Sequence, residues 1–278
     1  MKNIITIDLE DWYHCNLGDN NVLEKKVSTV EKNTNELLRL LKKYNAKATF
    51  FALGTIGEDF PSLIKKIDSE GHEIASHGYG HELVYTLTPK QFRNDITKSK
   101  KILENIIKKD VIGYRAPSWS ITNKNLWALK VLEDKGFKYS SSIFPIKTFL
   151  YGIPDAPTYP NRPVVDGKTL NIYEYPPGTA NFLFKKLGFS GGFYFRFFPF
   201  FIIKWLIKKR NKKNIPVICY LHPWEIDENP PKMDLKGINK IIHYYGIKKC
   251  KKKFEKLLKT FEFTSMASYN DAIKKSEK

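Results

Sequence analysis

The feature that most constrains this chain is the repeated alternation of short apolar runs with helical segments. "NIITIDL" (3–9) reads as a buried strand ending in acids. "TVEKNTNELLRLLKKYNA" (29–46) carries apolar residues at helical spacing, and "KATFFALG" (47–54) follows as a second strand. "EDFPSLIKKIDSEG" (58–71) reads as a short helix with a glycine stop, and "HEIASHG" (72–78) as a third strand. "TPKQFRNDITKSKKILENII" (88–107) is a helix opened by Thr88, with Pro89 at its first position. "VIGYRAPSW" (111–119) is a fourth strand, "TNKNLWALKVLEDKGF" (122–137) a helix with a threonine or asparagine cap, and "KYSSSIF" (138–144) a further strand. Strands and helices alternating at this spacing point to an α/β fold built on a parallel sheet or barrel.

The rhythm breaks over 146–180, a stretch rich in proline and glycine that reads as a loop-rich insertion with short strands. "VICYLHPWE" (217–225) is a late strand, "KKCKKKFEKLLKTF" (248–261) a terminal helix, and "EFTSM" (262–266) a last strand. No internal repeat or long linker divides the 278 residues. The expectation is one catalytic domain over 1–278, with a C-terminal extension from about 228 to 278.

A hydrophobic content of 42% is enough for a sizeable core. Cys15, Cys219 and Cys250 form no CxxC pair, which argues against a disulfide framework and a zinc finger. No run of 18 apolar residues appears, so a membrane-spanning helix is not expected. The opening "MKNIITIDLEDW" meets three acids after four residues of its apolar run, unlike a secretory signal, so a cytoplasmic protein is expected. The net charge of +18 suits an anionic partner. The lysines, however, are spread along helical faces, and no nucleic-acid motif or arginine cluster accompanies them. "FYFRFFPFFIIKWLI" (193–207), followed by "KKRNKK" (208–213), reads as a buried helix with a lysine-rich exit. The alternative is peripheral contact with an anionic membrane, at its inner face.

In a barrel or open α/β sheet, functional groups gather at the carboxyl ends of the strands. Here those ends supply Asp8, Glu10 and Asp11, then His77 and His81, then Arg115, then His222. Two histidines at i and i+4 can reach one ion, and a catalytic zinc site wants a third protein ligand plus an open position for water. If the first strand continues, Asp8 and Glu10 share a face. A turn after Leu9 favours Asp11, towards which its shorter reach leans the reading.

Four motifs occur in order: "TIDLED", "SHGYGH", "YRAPSW" and "YLHPWE". In this order the chain resembles the polysaccharide (NodB-type) deacetylases over most of its length. "YSSSIFP", "YGIPDAP", "GGFYFRFFPF" and "HPWEID" look like the branch found with exopolysaccharide biosynthesis loci. The resemblance implies a distorted (β/α)7 barrel, a divalent metal (zinc, with cobalt, nickel or manganese as alternatives) and hydrolysis of an N-acetyl group on a saccharide. It implies metal ligation by His77, His81 and Glu10 or Asp11. It makes Asp8 the general base, His222 the general acid, and Arg115 the partner that orients Asp8. Trp119, Pro117 and Trp224 adjoin the motif residues and would contact the sugar.

The sequence departs from the family in two places. The usual adjacent aspartates are spread out as Asp8, Glu10 and Asp11, and Ser140 stands where relatives carry an acid supporting the catalytic histidine. Glu174 or Glu225 would have to substitute. His72 reads as structural, His14 and Cys15 as lining the pocket, and His243 as having no chemical role. Two other readings keep the barrel: hydrolysis of another C–N bond such as a cyclic amide, and saccharide binding without catalysis.

Overall fold

The computed structural model describes residues 1–16, 27–148, 151–182 and 185–276. Its strands are β1 (Asn3–Leu9), β2 (Thr49–Ala52), β3 (Glu73–Ser76), β4 (Gly113–Tyr114), β5 (Tyr139–Ser140), β6 (Val164–Val165), β7 (Lys168–Thr169), β8 (Tyr173–Glu174), β9 (Thr179–Phe182), β10 (Lys185–Gly188), β11 (Ile218–Leu221) and β12 (Phe263–Thr264). Its helices are α1 (Val30–Lys43), α2 (Gly54–Asp59), α3 (Pro61–Ser69), α4 (Pro89–Ile107), α5 (Trp127–Asp134), α6 (Gly192–Phe197), α7 (Phe200–Asn211), α8 (Gly237–Tyr244), α9 (Ile247–Thr260) and α10 (Met266–Ser276).

Seven strands form a curled parallel sheet in the order β11-β1-β2-β3-β4-β5-β8, and β12 pairs with the start of β1. This is the distorted (β/α)7 barrel. Its central strand shows why it forms. Every residue of β1 is buried, as in a strand covered on both faces. Ile5, Ile7 and Leu9 face the helices and join the main core. Ile4 faces the barrel interior with Phe51, Ala75 and Tyr139. Thr6 and Asp8 continue that inner row upwards, where the chemistry begins.

The helices follow local signals where those are strong. Thr88 caps α4 and accepts from Gln91 N, with the Gln91 side chain returning to Thr88 N. The helix expected over 58–71 is two helices meeting at Phe60, because Pro61 starts a new one at its first position. The expected helix over 122–137 begins only at Trp127. Before it, the Asn125 side chain accepts from Thr122 N and Oγ1 and holds a turn. The expected strand over 111–119 pairs only at 113–114. The apolar 193–207 run is divided into α6 and α7 at Phe198 and Pro199. The helix over 247–260 is not terminal: the chain continues through β12 into α10. Among the described residues, no helix is long and apolar enough to cross a membrane.

Candidate active site

The strand ends meet at one mouth of the barrel. Arg115, fully buried, follows β4 and crosses the interior to β1. Its Nη1 donates to Asp8 Oδ1 at 2.5 Å and to Thr6 Oγ1 at 2.8 Å, while Nε and Nη2 donate to Ser141. The guanidinium lies over the rings of Phe51 (4.2 Å) and Trp119 (4.6 Å). A planar cation hydrogen-bonded along its edges and packed against aromatic rings holds Asp8 in one orientation. Asp8 Oδ2 remains turned towards His222 Nε2, 3.8 Å away.

Glu10, His77 and His81 form the second cluster, with one ligand atom from each within 4.8 Å of the others. Glu10 Oε2 lies 2.6 Å from His81 Nε2 and 3.8 Å from His77 Nε2. His77 Nδ1 is 2.8 Å from the Arg115 carbonyl, which can only accept, so Nδ1 carries the proton and Nε2 presents its lone pair. Burial pushes His77 down to about 4 against the opposing pull of Asp8 and Glu10, so this imidazole is neutral at pH 7. Burial raises the Glu10 carboxyl, but His81, His222 and His77 together hold it well below the usual range. His81 sits at φ 65°, a left-handed conformation that turns its ring back into the mouth.

The two candidate carboxylates separate. Glu10 N donates to Asp8 O at 3.0 Å, so the chain does turn after Leu9, and that turn delivers Glu10 to the histidines. Asp11 faces elsewhere. Its oxygens accept from Trp12 N, Thr29 N, Thr29 Oγ1 and Ser28 Oγ, tying the strand end to the start of α1. The lean towards Asp11 is therefore corrected: its hydrogen-bonding capacity is spent on the backbone and hydroxyls of 28–29.

His222 follows β11, which pairs with β1. Its Nδ1 is 2.9 Å from Glu225 Oε2, and Glu225 also accepts from His222 N. Glu225 is fully buried, and its Oε1 accepts from Arg196 Nε at 2.6 Å. Burial pushes His222 down, but Glu225, Glu10 and Asp8 outweigh it and lift His222 to about 9. Burial raises Glu225 while Arg196 and His222 pull it down to about 2. Glu225 is thus the carboxylate that stands against the His222 ring, where Ser140 offers none. Glu174, the other candidate, accepts from Ser142 N and Ile143 N beneath the mouth. Arg196 was not anticipated. It also donates to the carbonyls of Ile242, His243 and Tyr245, anchoring the end of α8 beside the site.

These groups open into a cavity of about 780 Å³ of empty volume, open solvent at its mouth included. Ser118 and Trp119 line it, both at positive φ (49° and 54°); Pro117 is buried but is not part of the lining. Trp224 also lines it, stacked between His222 (5.4 Å) and His243 (4.5 Å). His243, which the sequence gave no obvious chemical role, belongs to the cavity wall. Cys15 also lines the cavity, whereas the His14 ring accepts from Asp11 N. His72 is structural, its Nδ1 accepting from Ala48 N at 3.2 Å.

Residues 22–140 match the family model described as polysaccharide deacetylase, and residues 141–271 match one described as a domain of unknown function, DUF3473. His77, His81 and Arg115 fall in the first; His222, Glu225 and Arg196 fall in the second. A peptidoglycan deacetylase of Helicobacter pylori is 37% identical over 107 residues, 38% of this chain and 36% of that protein. A peptidoglycan-N-acetylglucosamine deacetylase of Bacillus cereus is 41% identical over 73 residues, 26% of each. The match thus spans about a third or less of these curated relatives. Among solved structures, a candidate polysaccharide deacetylase of Mycobacterium smegmatis superposes with a TM-score of 0.67 at 16% identity, covering 99% of this chain and 90% of that one. A peptidoglycan N-acetylglucosamine deacetylase solved with a naphthalenyl N-hydroxybenzamide gives 0.52 at 19% identity, covering 96% and 86%. Both likenesses are of fold. The four motifs thus gather at one barrel mouth, and over residues 22–140 the chain carries a match to the polysaccharide deacetylase (NodB-type) family model.

Proposed function

We propose that the chain is a metal-dependent hydrolase that removes N-acetyl groups from an amino-sugar-containing saccharide, either a polysaccharide or its lipid-linked precursor. The observation that carries this reading is the convergence of Glu10, His77 and His81 beside Asp8 and His222. The donor set fits a divalent cation. One carboxylate and two imidazoles leave room for water, and Glu10 Oε2 is buried with no hydrogen bond beyond its approach to the histidine rings. Glu10, His77 and His81 are the proposed ligands, with zinc as the expected metal and cobalt, nickel or manganese as alternatives. A cation there would acidify water and polarise the acetyl carbonyl.

The remaining steps belong to the chain's own groups. Asp8, oriented through Oδ1 by Arg115, accepts the proton of the attacking water at Oδ2. His222 gives its Nε2 proton to the departing amine, while Nδ1–H stays on Glu225. The lift of His222 to about 9 supports this assignment, because the ring keeps its proton at neutral pH. Trp119 and Trp224 wall the cavity in which a sugar ring would sit, Trp224 presenting an edge because His222 and His243 cover its faces; Pro117 shapes the short turn that carries Trp119. The contact of Glu225 with His222 supports the catalytic reading over that of a non-catalytic homologue. Because β1 carries Asp8 and Glu10 and pairs with β11 next to His222, residues 1–278 are proposed to work as one catalytic unit.

The test is acetate release from N-acetylglucosamine oligomers by apo protein, by protein supplied with Zn²⁺ or Co²⁺, and by His77→Ala. Metal-dependent release that disappears in the variant is expected. Metal-loaded, folded protein that releases no acetate from any acetylated amino sugar would refute the proposal.

A further inference from the structure

The core reading of the apolar 193–207 run accounts for only part of it. In α7, Ile203, Leu206 and Ile207 are buried and satisfy the core. Phe201 and Trp205 point the other way, 71% and 56% exposed. Phe197, Phe201 and Trp205 recur every four residues across the α6–α7 break, and each is exposed. Ile238 and Ile241 of α8, with Tyr245 just past its end, form a second exposed row. The two rows meet where Phe197 and Phe193 pack against Tyr245, at 5.7 and 6.2 Å between ring centroids. The helices carrying them are clamped together by Arg196, whose guanidinium holds the carbonyls of Ile242, His243 and Tyr245. The patch is therefore a preformed surface. It also reaches the active site, because Phe193 and Ile242 line the cavity.

Its charge is one-sided. Residues 193–213 and 235–253 contain no aspartate or glutamate. They do contain Lys204, Lys208, Lys209, Lys236, Lys240 and Lys248. Lys209 Nζ lies 5.1 Å from the centre of the Trp205 ring, so cation and aromatic adjoin at the same surface. Aromatic and branched apolar side chains ringed by lysines match the boundary between acyl chains and anionic headgroups. A soluble protein rarely leaves so many large apolar side chains contiguous and in water.

We infer that the face made by α6, α7 and α8 docks on an anionic lipid bilayer, with the rim of the active-site cavity against it. Such docking would present the site to a saccharide carried on a lipid. The inference does not depend on the deacetylase reading, since binding is read without turnover.

The test uses the full chain with vesicles of phosphatidylcholine alone, or with about a third phosphatidylglycerol, in a flotation assay at low and high salt. Brominated acyl chains report the depth of Trp205. The expected result is partition onto the anionic vesicles, weakened by salt, with tryptophan quenching that is lost in Trp205→Phe. Phe201→Ser/Trp205→Ser should lower the partition coefficient by about tenfold or more, as should Lys208→Glu/Lys209→Glu. Circular dichroism confirms that each variant is folded; all four positions lie outside the cavity lining. Equal partition of wild type and both double variants would overturn the inference, as would equal binding to neutral and anionic vesicles. So would an absence of binding by folded wild type. Self-association in sedimentation velocity that vanishes in Phe201→Ser/Trp205→Ser, with no vesicle binding, would assign the patch to a second copy of the chain and also overturn it.

Discussion

Glu225→Gln tests whether the carboxylate beside His222 holds the proton on that ring. Glutamine keeps the volume, but it has one acceptor oxygen where Glu225 uses two, one for Arg196 and one for His222. It also removes the negative charge between two buried cations. The size of the effect follows from either partner. Glu225 is pulled from 4.5 to about 2, and His222 is lifted from 6.5 to about 9. At 1.36 kcal/mol for each tenfold change in acidity, each corresponds to about 3 kcal/mol. The signs differ. The lowered Glu225 contributes stability above pH 4.5 that is lost as pH falls towards 2. The raised His222 contributes stability that is full below pH 6.5 and is lost as pH rises through 9. Urea unfolding of chelator-treated protein should therefore show wild type losing about 3 kcal/mol from His222 between pH 6 and pH 9.5. The variant should be less stable at pH 6 and should lose less than about 1 kcal/mol over the same interval. Its metal-loaded kcat/KM should fall by at least about tenfold, with the basic limb displaced to lower pH. An alkaline loss of stability equal in wild type and variant would refute the claim that Glu225 holds the His222 proton.

Four further outcomes follow from the site and its frame. Glu10→Gln should weaken metal retention in equilibrium dialysis by more than about 100-fold. Asp11→Asn should leave retention within a few-fold while lowering unfolding stability by about 1–3 kcal/mol, because its oxygens bond residues 28–29 instead. Arg196→Met leaves Glu225 buried without its cation and three carbonyls without their donor. Unfolding should cost about 3–5 kcal/mol less, and amide exchange should rise over 237–245 in particular. Gly191→Ala would place a methyl carbon 2.1 Å from Tyr220 Cδ1. The ring must move, at about 1–3 kcal/mol, and thermal unfolding is the measure.

Reading strands and caps from the sequence succeeds where the signal is local. The all-buried "NIITIDL", the Thr88–Pro89 start of α4 and the polar residues closing each apolar run are properties of a few neighbouring side chains. The repeated strand and helix pattern, the four motifs and most residues at the barrel mouth therefore stood in the sequence. What the sequence left open depends on distant partners. Whether Glu10 or Asp11 joins the histidines was decided by Ser28 and Thr29, which capture Asp11, and by the turn that swings Glu10 inward. The support for His222 was one of two carboxylates until Arg196 was seen holding Glu225 and Ser142 N was seen on Glu174. The sequence did not single out Arg196 and gave His243 no obvious chemical role, because the partners of both, Glu225 and Trp224, are distant along the chain and meet them only in the folded barrel. Periodicity shows which face of an element is buried. It carries no record of which buried donor meets which acceptor, since that pairing is set only when the barrel brings separate strand ends together.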